Sequence, residues 1–320
     1  MGFWEVFDEL PAGWELRDRN ADGGRARYAA PDGWVELAYY ELLPGIVLSD
    51  IDLTCSDLPV SYPKSLLLAT INWCASGRCE VDFGERGSMV VGAQSLCLSS
   101  SLANSFSYPT ALYRGFECFV DFDQFDDAAR TTLASFGLTE QALRDALVPH
   151  ELGVTLLPNA QLLGAIHAVE EELAQASPRN GWLLMTIIRL FMLLASADGG
   201  GPRTTSDYLQ RSQRDMAQAV YQQIVSKSTF VADLSSLAAR FGVSEASLRA
   251  YFARVYGESP TSFARGRVLA KASRLLAQTD DSVADIAQSC GYANPSKFSA
   301  AFRRTYGVNP LEYRRRSRLA

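Results

Sequence analysis

The feature that most constrains the fold of this chain is a repeat near its C-terminus. A set of apolar residues with the i, i+3, i+4, i+7 spacing of one helical face occurs twice, 49 residues apart: Leu234, Leu237, Ala238 and Phe241, then Val283, Ile286, Ala287 and Cys290. Each set predicts a short amphipathic helix packed on a core. A repeat at a fixed distance predicts two copies of one supersecondary unit.

Each of these helices has its own start and stop signals in the sequence. Asp233 and Ser282 are side chains of the kind that cap helix N-termini. Gly242 and Gly291 follow the last apolar positions, where a tight turn needs a residue that tolerates positive φ. The repeat therefore includes the ends of the helices as well as their apolar faces.

A second helix follows each turn. It opens with Ser244 in the first copy and with Asn294, followed by Pro295 at the first helical position, in the second. Its apolar face repeats at an offset of 50 residues: Leu248, Tyr251, Phe252 and Val255, then Phe298, Ala301, Phe302 and Thr305. Two helices joined by a short glycine-containing turn form the helix-turn-helix pattern, which here occurs twice around a continuous helix predicted at 261–278.

Charge is distributed unevenly along the 320 residues. The net charge is −6, but residues 215–320 hold 15 Lys and Arg against 8 Asp and Glu, whereas residues 1–214 hold 15 against 28. A compact basic domain next to an acidic one is the electrostatic pattern expected of a nucleic-acid-binding module with a separate partner function.

The repeated region resembles the DNA-binding domain of the AraC/XylS family of transcription regulators over residues 213–316. The stretch SVADIAQSCGYANPSKFSAAFRRTYGVNPLEYRR, residues 282–315, is similar to the family signature almost position for position. One departure lies in the helix between the copies, where the family usually has arginine before leucine and this chain has Val268 before Leu269, with Arg267 one place early. No DNA-contacting role is therefore carried over to a linker arginine.

A helix-turn-helix places the N-terminal part of its second helix in the major groove. We expect base contacts from the outward positions of the two second helices: Glu245, Ala246, Arg249 and Ala250, then Pro295, Ser296, Lys297 and Ala300. Arg249 and Lys297 are the candidates for guanine contacts. Contacts to the DNA backbone are expected from a further polar and basic set: Ser244, Arg254, Asn294, Arg303, Arg304 and Arg314.

The N-terminal half alternates short apolar runs with turn residues from Trp34 to Asp121, which predicts antiparallel strands. The fold class expected for the chain is α+β: a cupin-like antiparallel β-barrel with a helical dimerisation segment, then an all-α double helix-turn-helix domain. Four aromatic residues are weak candidates for binding an effector, with core packing as the alternative for each: Trp34, Tyr39, Tyr40 and Trp73.

The sequence predicts neither a catalytic residue nor a cofactor or metal. The two histidines, His150 and His167, lie outside the barrel segment, and His167 with Glu171 supplies only two ligands. The six cysteines lack metal-site spacing, and we expect structural roles for them, with redox sensing by Cys74 and Cys79 as the alternative.

The expected domains are a sensing and dimerisation domain at 1–197, a linker at 198–212 and a DNA-binding domain at 213–320. The first domain divides into a barrel at about 30–125 and helices at about 125–197, and the segment 159–197 is predicted as two helices broken near Ser177 and Pro178, through which a homodimer forms. The absence of a signal peptide or a membrane span favours the cytoplasm.

The function implied by the resemblance is that of a transcription regulator that binds double-stranded DNA and responds to a small-molecule effector of unknown identity. Family habit favours an activator, with RNA polymerase as partner, over a repressor. Two alternatives stay open: an enzyme domain that modifies a small molecule, fused to a DNA-binding module, and an architectural DNA-binding protein without an effector.

Overall fold

The computed structural model describes residues 13–20, 23–56, 68–100, 105–148, 153–196, 203–205, 208–227 and 233–317. The chain divides into two compact units, Met1–Gln210 and Arg211–Ala320. The first unit is rich in antiparallel strands, and the second is helical.

Twelve strands are found in the described part of the first unit, and all their pairings are antiparallel. They are β1 (Trp14–Asn20), β2 (Gly23–Ala30), β3 (Gly33–Leu43), β4 (Ile46–Leu53), β5 (Leu68–Asp82), β6 (Ser88–Gly92), β7 (Ser95–Ser100), β8 (Ser105–Ser107), β9 (Tyr113–Asp121), β10 (Gly153–Leu156), β11 (Arg203–Thr205) and β12 (Tyr208–Leu209). The main path of neighbours is β1-β2-β3-β4-β9-β5-β7-β10-β11, with β6, β8 and β12 off it.

The long strand β5 connects two layers of the sheet. Its first part pairs with β9 and β7, and residues 78–82 pair with β6. The change of direction falls at Gly77, whose φ is +84° and whose Cβ, if present, would lie 1.9 Å from the Leu112 carbonyl oxygen. Only glycine fits there, because the conformation and the close approach both exclude a side chain.

The antiparallel, sheet-rich N-terminal part of the predicted fold class is confirmed, but the described strands do not form the closed barrel that we expected. The path of paired strands ends at β1 and at β11, and within the described residues these two ends do not pair with each other. The sequence also missed β1, β2 and the three late strands β10, β11 and β12, which lie outside 30–125.

The alternation of side chains along each strand gives the sheet two apolar faces. Val35, Leu37 and Tyr39 of β3 point into the space between the two layers. Tyr40 and Leu42 belong to the opposite face, which is covered by helices of the same unit.

Four α-helices are described in the first unit: α1 (Asp127–Ser135), α2 (Glu140–Leu147), α3 (Ala160–Leu173) and α4 (Asn180–Leu194). The Asn159 side chain caps α3 by accepting from Leu162 N. Helices α3 and α4 match the predicted pair with a break near Pro178. The apolar stripe of α3, which includes Ile166 and Val169, is buried in the core of its own unit together with α4.

The four candidate effector-binding aromatics lie on different faces. Tyr39 is buried between the layers, whereas Tyr40 and Trp73 are buried under the helices, and Trp34 is half-buried. Trp73 Nε1 donates to Glu170 Oε1 at 2.9 Å. The four therefore do not line one common site.

All six cysteines are buried, and none of them is joined in a disulfide. Burial raises the pKa of the Cys74 thiol to about 12, with nearby Arg78 acting in the opposite direction, and burial raises that of Cys79 well above its ordinary value. Since the thiolate is the reactive form, both groups are in an environment that suppresses oxidation. The structural role is favoured over redox sensing.

The predicted linker at 198–212 differs from the structure in its second half. Arg203–Thr205 pairs with β10 and Tyr208–Leu209 pairs with β6, so both belong to the sheet of the first unit. Residues 198–202 lie outside the described residues, as does His150. The division between the units falls at Gln210 and Arg211, two residues before the predicted start of the second domain.

His167 is exposed on α3. Among the described residues, no three histidine, cysteine, aspartate or glutamate side chains lie together in a way that could hold a metal ion.

None of the helices in the described ranges has both the length and the apolarity that a crossing of a membrane requires.

The described part of the second unit contains seven helices. They are α5 (Arg211–Lys227), α6 (Leu234–Phe241), α7 (Glu245–Tyr256), α8 (Pro260–Gln278), α9 (Val283–Ser289), α10 (Pro295–Tyr306) and α11 (Pro310–Ser317). The two predicted copies are α6 with α7 and α9 with α10, and the helix predicted at 261–278 is α8. The all-α double helix-turn-helix part of the fold class is confirmed.

An aromatic cluster repeats in the two copies with nearly the same geometry. Phe252, Tyr256 and Phe263 have ring centroids 4.4 Å, 5.5 Å and 5.5 Å apart. Fifty residues later, the corresponding distances in the triad of Phe302, Tyr306 and Tyr313 are 4.5 Å, 5.3 Å and 5.2 Å. The sequence repeat is therefore a repeat of packing as well.

Removing one ring from a triad tests its part in stability. Phe302 is fully buried, so Phe302→Ala should lower the free energy of unfolding by about 3–5 kcal/mol, since a large cavity is left. Chemical denaturation of the full chain, followed by far-UV circular dichroism, measures this change. Thr305→Ala alters an exposed position on the same helix and should stay within about 0.5 kcal/mol of wild type. Equal losses in the two variants would contradict the packing described.

Candidate nucleic-acid interface

The turns between the helices of the two motifs have the same hydrogen-bond geometry. Val243 N donates to the Ala238 carbonyl oxygen at 3.1 Å, and Tyr292 N donates to that of Ala287 at 2.9 Å. Each bond closes a helix C-terminus around a glycine with positive φ, 68° at Gly242 and 79° at Gly291. The predicted glycine turns therefore aim the second helices in the same local way.

The caps of the second helices are also as predicted. Ser244 Oγ accepts from Ser247 N at 3.0 Å, and Asn294 Oδ1 accepts from Ser296 N at 2.8 Å and from Lys297 N at 3.3 Å. Both capping side chains are exposed at the helix start. The caps occupy the acceptor oxygens of Ser244 and Asn294, which are also two of the residues predicted to contact the DNA backbone.

The residues predicted to contact bases lie on the outer face of α7 and α10. All are exposed except Glu245, which is half-buried: Ala246, Arg249, Ala250, Pro295, Ser296, Lys297 and Ala300. The inner faces carry the buried residues Leu248 and Phe252 in α7 and Phe298 and Phe302 in α10. Each helix thus has one face in the core and one face available to a partner.

The two principal basic candidates differ in their local partners. Arg249 Nη2 lies 2.7 Å from Glu245 Oε2, an i,i+4 ion pair on the helix surface. Lys297 has no acidic side chain within ion-pair distance among the residues that the structure describes. One guanidinium nitrogen of Arg249 is thus engaged by a carboxylate of its own helix, whereas the ammonium group of Lys297 is not.

The residues predicted to contact the DNA backbone fall into two groups. Arg303 and Arg304 are exposed in the last turn of α10, where a positive charge also interacts favourably with the helix dipole. Arg254 occupies the corresponding turn of α7 and is half-buried.

Arg314 has an internal role that the sequence did not indicate. Its Nε donates to the Leu276 carbonyl oxygen at 3.3 Å, and its Nη2 donates to the Asp281 carbonyl oxygen at 2.5 Å. These bonds connect α11 to the end of α8 and to the segment before α9. The guanidinium is therefore engaged within the domain, and its predicted contact to DNA would require these bonds to be shared.

Helix α8 belongs to the cores of both motifs. Phe263 near its start packs against Phe252 and Tyr256 of the first motif. Leu269 and Leu276 are buried in the core of the second motif. Val268, at the position where the resembled family has arginine, is buried in that same core, which explains why an apolar residue is accommodated there.

The class that this fold and surface define is a DNA-binding domain built from two helix-turn-helix motifs on a shared helix. Residues 237–316 match the family model described as a helix-turn-helix domain.

Known transcription regulators are similar to parts of this chain. The chain is 28% identical over 179 residues to the HTH-type transcriptional regulator ExsA of Pseudomonas aeruginosa, covering 55% of this chain and 62% of the relative. It is 39% identical over 79 residues to the HTH-type transcriptional activator RhaS of Escherichia fergusonii, covering 25% of this chain and 28% of that protein. The chain thus spans less than two thirds of the length of these relatives.

Among solved structures, a probable AraC family transcriptional regulator from Rhodopseudomonas palustris is 29% identical, with a TM-score of 0.30, covering 32% of this chain and 98% of that one. Residues 237–316 of this chain are an AraC-type helix-turn-helix domain, so the resemblance seen in the sequence is confirmed for this region.

The internal role of Arg314 can be separated from a contact to DNA by measuring stability in the absence of DNA. Arg314→Gln should lower the free energy of unfolding by about 1–3 kcal/mol, because hydrogen bonds from a charged donor to two carbonyls are lost. The neighbouring Arg315 is exposed, and Arg315→Gln should leave stability nearly unchanged. If both variants denature at the same concentration as wild type, the tether is not a stabilising contact.

Proposed function

We propose that this protein is a sequence-specific, DNA-binding transcription regulator of the AraC/XylS type. The observation that carries the proposal is the pair of helices α7 and α10, each anchored by a buried apolar face and each exposing the start of its outer face. Helices of this kind enter the major groove, where base edges display distinguishable donors and acceptors.

Base recognition is assigned to the start of each second helix and backbone recognition to its end. Lys297 and Arg249 contact guanine, with Glu245 releasing Arg249 when DNA is bound. Small neighbours such as Ala250 and Ala300 allow close approach to the groove. Arg303 and Arg304 contact phosphates, which strengthens binding without discriminating sequence.

The chain acts in the cytoplasm on double-stranded DNA, and a small-molecule effector bound by the first unit controls it. Activation through RNA polymerase is favoured over repression because one relative, similar over 79 residues, is named as a transcriptional activator.

The DNA assignment is tested on a site selected by the full chain from a random duplex pool. Lys297→Ala should weaken binding to that site by about 1–3 kcal/mol, roughly 5- to 150-fold, and relax the preference at one base pair. Arg249→Ala should do the same at a second position. Affinities are measured by fluorescence anisotropy at one fixed salt concentration.

A charge-matched comparison separates the two kinds of contact. Arg303→Gln should weaken binding to all duplexes to the same extent and should reduce the slope of log affinity against log salt concentration by about 0.9. Arg86→Gln removes an exposed arginine from the first unit and should change neither quantity. Unaltered base preference in both Lys297→Ala and Arg249→Ala would count against the proposal.

A homodimer forms through α4 in this proposal. Trp182, Met185 and Met192 are 46–60% exposed, and their spacing places them, together with the exposed Arg189, on one face of a helix whose other face is buried. Large exposed apolar groups in a row are typical of protein interfaces. A second copy of the chain is the proposed partner, because it is present wherever the chain is and would cover the same face of each subunit.

Introducing a charge into this face tests the dimer. Met185→Lys should shift the chain from dimer to monomer in analytical ultracentrifugation at micromolar concentration, because an ammonium group four residues from Arg189 has no opposite charge beside it and is costly in an apolar interface. Gln161→Lys adds the same charge to an exposed position of α3 and should leave the dimer intact. A wild-type chain that sediments as a monomer, or a Met185→Lys variant that stays dimeric, would contradict this interface.

A further inference from the structure

A charged cleft lies on the sheet of the first unit, at the C-terminal end of α3. Its volume is about 530 Å³, and its polar lining comes from five neighbouring strands, β1, β2, β3, β4 and β9, and from Gln175 after α3. Small-molecule sites in proteins have volumes of about 300–1,000 Å³. The cleft is on the face that the helices cover, away from the space between the two layers of the sheet.

The charges in the cleft form a row across the strands. Arg27 of β2 pairs in register with Glu36 of β3, Glu36 with Asp52 of β4, and Asp52 with Arg114 of β9. The two carboxylates in the middle, Glu36 and Asp52, are direct cross-strand neighbours, and like charges in that position destabilise a sheet. Arg27 lies 3.7 Å from Glu36 and Arg114 lies in register with Asp52, so the row itself is balanced in charge.

Asp50 lies next to this row and is the most isolated of the carboxylates. Its in-register neighbours are Ala38 on one side and Phe116 on the other, and neither can neutralise it. Within the described residues, its side chain has no ion pair or hydrogen bond. It is half-buried, and burial raises its pKa to about 6, with Arg114 opposing this and Asp52 adding to it.

Basic groups surround the acidic part of the cleft on its outer side. Arg25, on β2, and Arg114, on β9, stand on opposite sides of Asp50, and both are exposed. Arg25 is also close enough to Tyr40 to hydrogen-bond with its hydroxyl. The cleft therefore offers carboxylates at its base and guanidinium groups at its rim.

We propose that this cleft binds a free amino acid, with the ammonium group on Asp50 and Asp52 and the carboxylate on Arg114 or Arg25. A ligand with only a positive charge would pair with the carboxylates at the base but would be repelled by the guanidinium groups at the rim. A purely anionic ligand would pair with the guanidinium groups and would be repelled by the carboxylates. Guanidinium groups suit a carboxylate because their planar fork donates two parallel hydrogen bonds. The control of DNA binding by this ligand rests on the proposed function, whereas the binding itself does not.

The test is calorimetric titration of the full chain, without DNA, with each of the common amino acids after a thermal-shift screen. Butylamine and butyrate serve as singly charged probes. At least one amino acid should bind with one site per chain, and both probes should bind at least about 10-fold more weakly, since each lacks one charged contact.

Variants then assign the site. Asp50→Asn and Arg114→Gln should each weaken binding of the amino acid by about 10-fold or more. Arg25→Gln supplies a third variant if one of these fails to fold. Asp145→Asn and Arg86→Gln make the same changes at exposed positions outside the cleft and should bind like wild type.

The proposal is overturned if no amino acid binds, if butylamine or butyrate binds as tightly, or if the cleft variants keep wild-type affinity. A chain that binds the amino acid but selects no DNA site would refute the proposed function and leave the cleft assignment standing. A chain that selects a DNA site but binds no amino acid would refute the cleft assignment and leave the proposed function standing.

Discussion

The contacts of helix α8 with two separate cores are what the rest of the C-terminal unit depends on. Phe263 lies in the aromatic triad of the first motif, while Leu269 and Leu276 lie in the core of the second. A helix of 19 residues is about 28 Å long and resists bending. The position of one motif relative to the other is therefore fixed by this helix. In the proposed function, the target must therefore present two grooves at the spacing that this helix sets.

This constraint gives the small differences between the motifs a functional meaning. Arg249 pairs with Glu245, whereas Lys297 has no such partner among the described residues, so in the proposed function the second motif needs no ion pair to break. Arg314 connects α11 to the end of α8 by a hydrogen bond and thereby stabilises the second motif. The basic residues of this unit thus differ in their surroundings, since Arg314 is bonded inside the unit while Lys297 and Arg303 are exposed, although the sequence presents them all as similar charges.

Local signals explain what the sequence could predict. The caps Asp233 and Ser244, the glycine turns and the apolar spacing act within a few residues, so the boundaries of the helix-turn-helix motifs agree closely with the structure. Strand pairing depends on partners far along the chain: β1 is a polar segment, and Arg203–Thr205 resembles a linker until β10 is present beside it. The carbonyl partners of Arg314, and the row of charges between Arg27 and Arg114, depend on such long-range register in the same way.

The most direct test of the account is a hydroxyl-radical footprint of the full chain on its selected duplex, compared with the footprint of Lys297→Ala. Two helices fixed by one rigid helix should protect two windows on the same side of the DNA, about 34 Å or one helical turn apart. Loss of Lys297 should weaken one of these windows more than the other. A single protected window, or two windows on opposite sides of the duplex, would contradict the arrangement of two equivalent motifs that contact successive grooves.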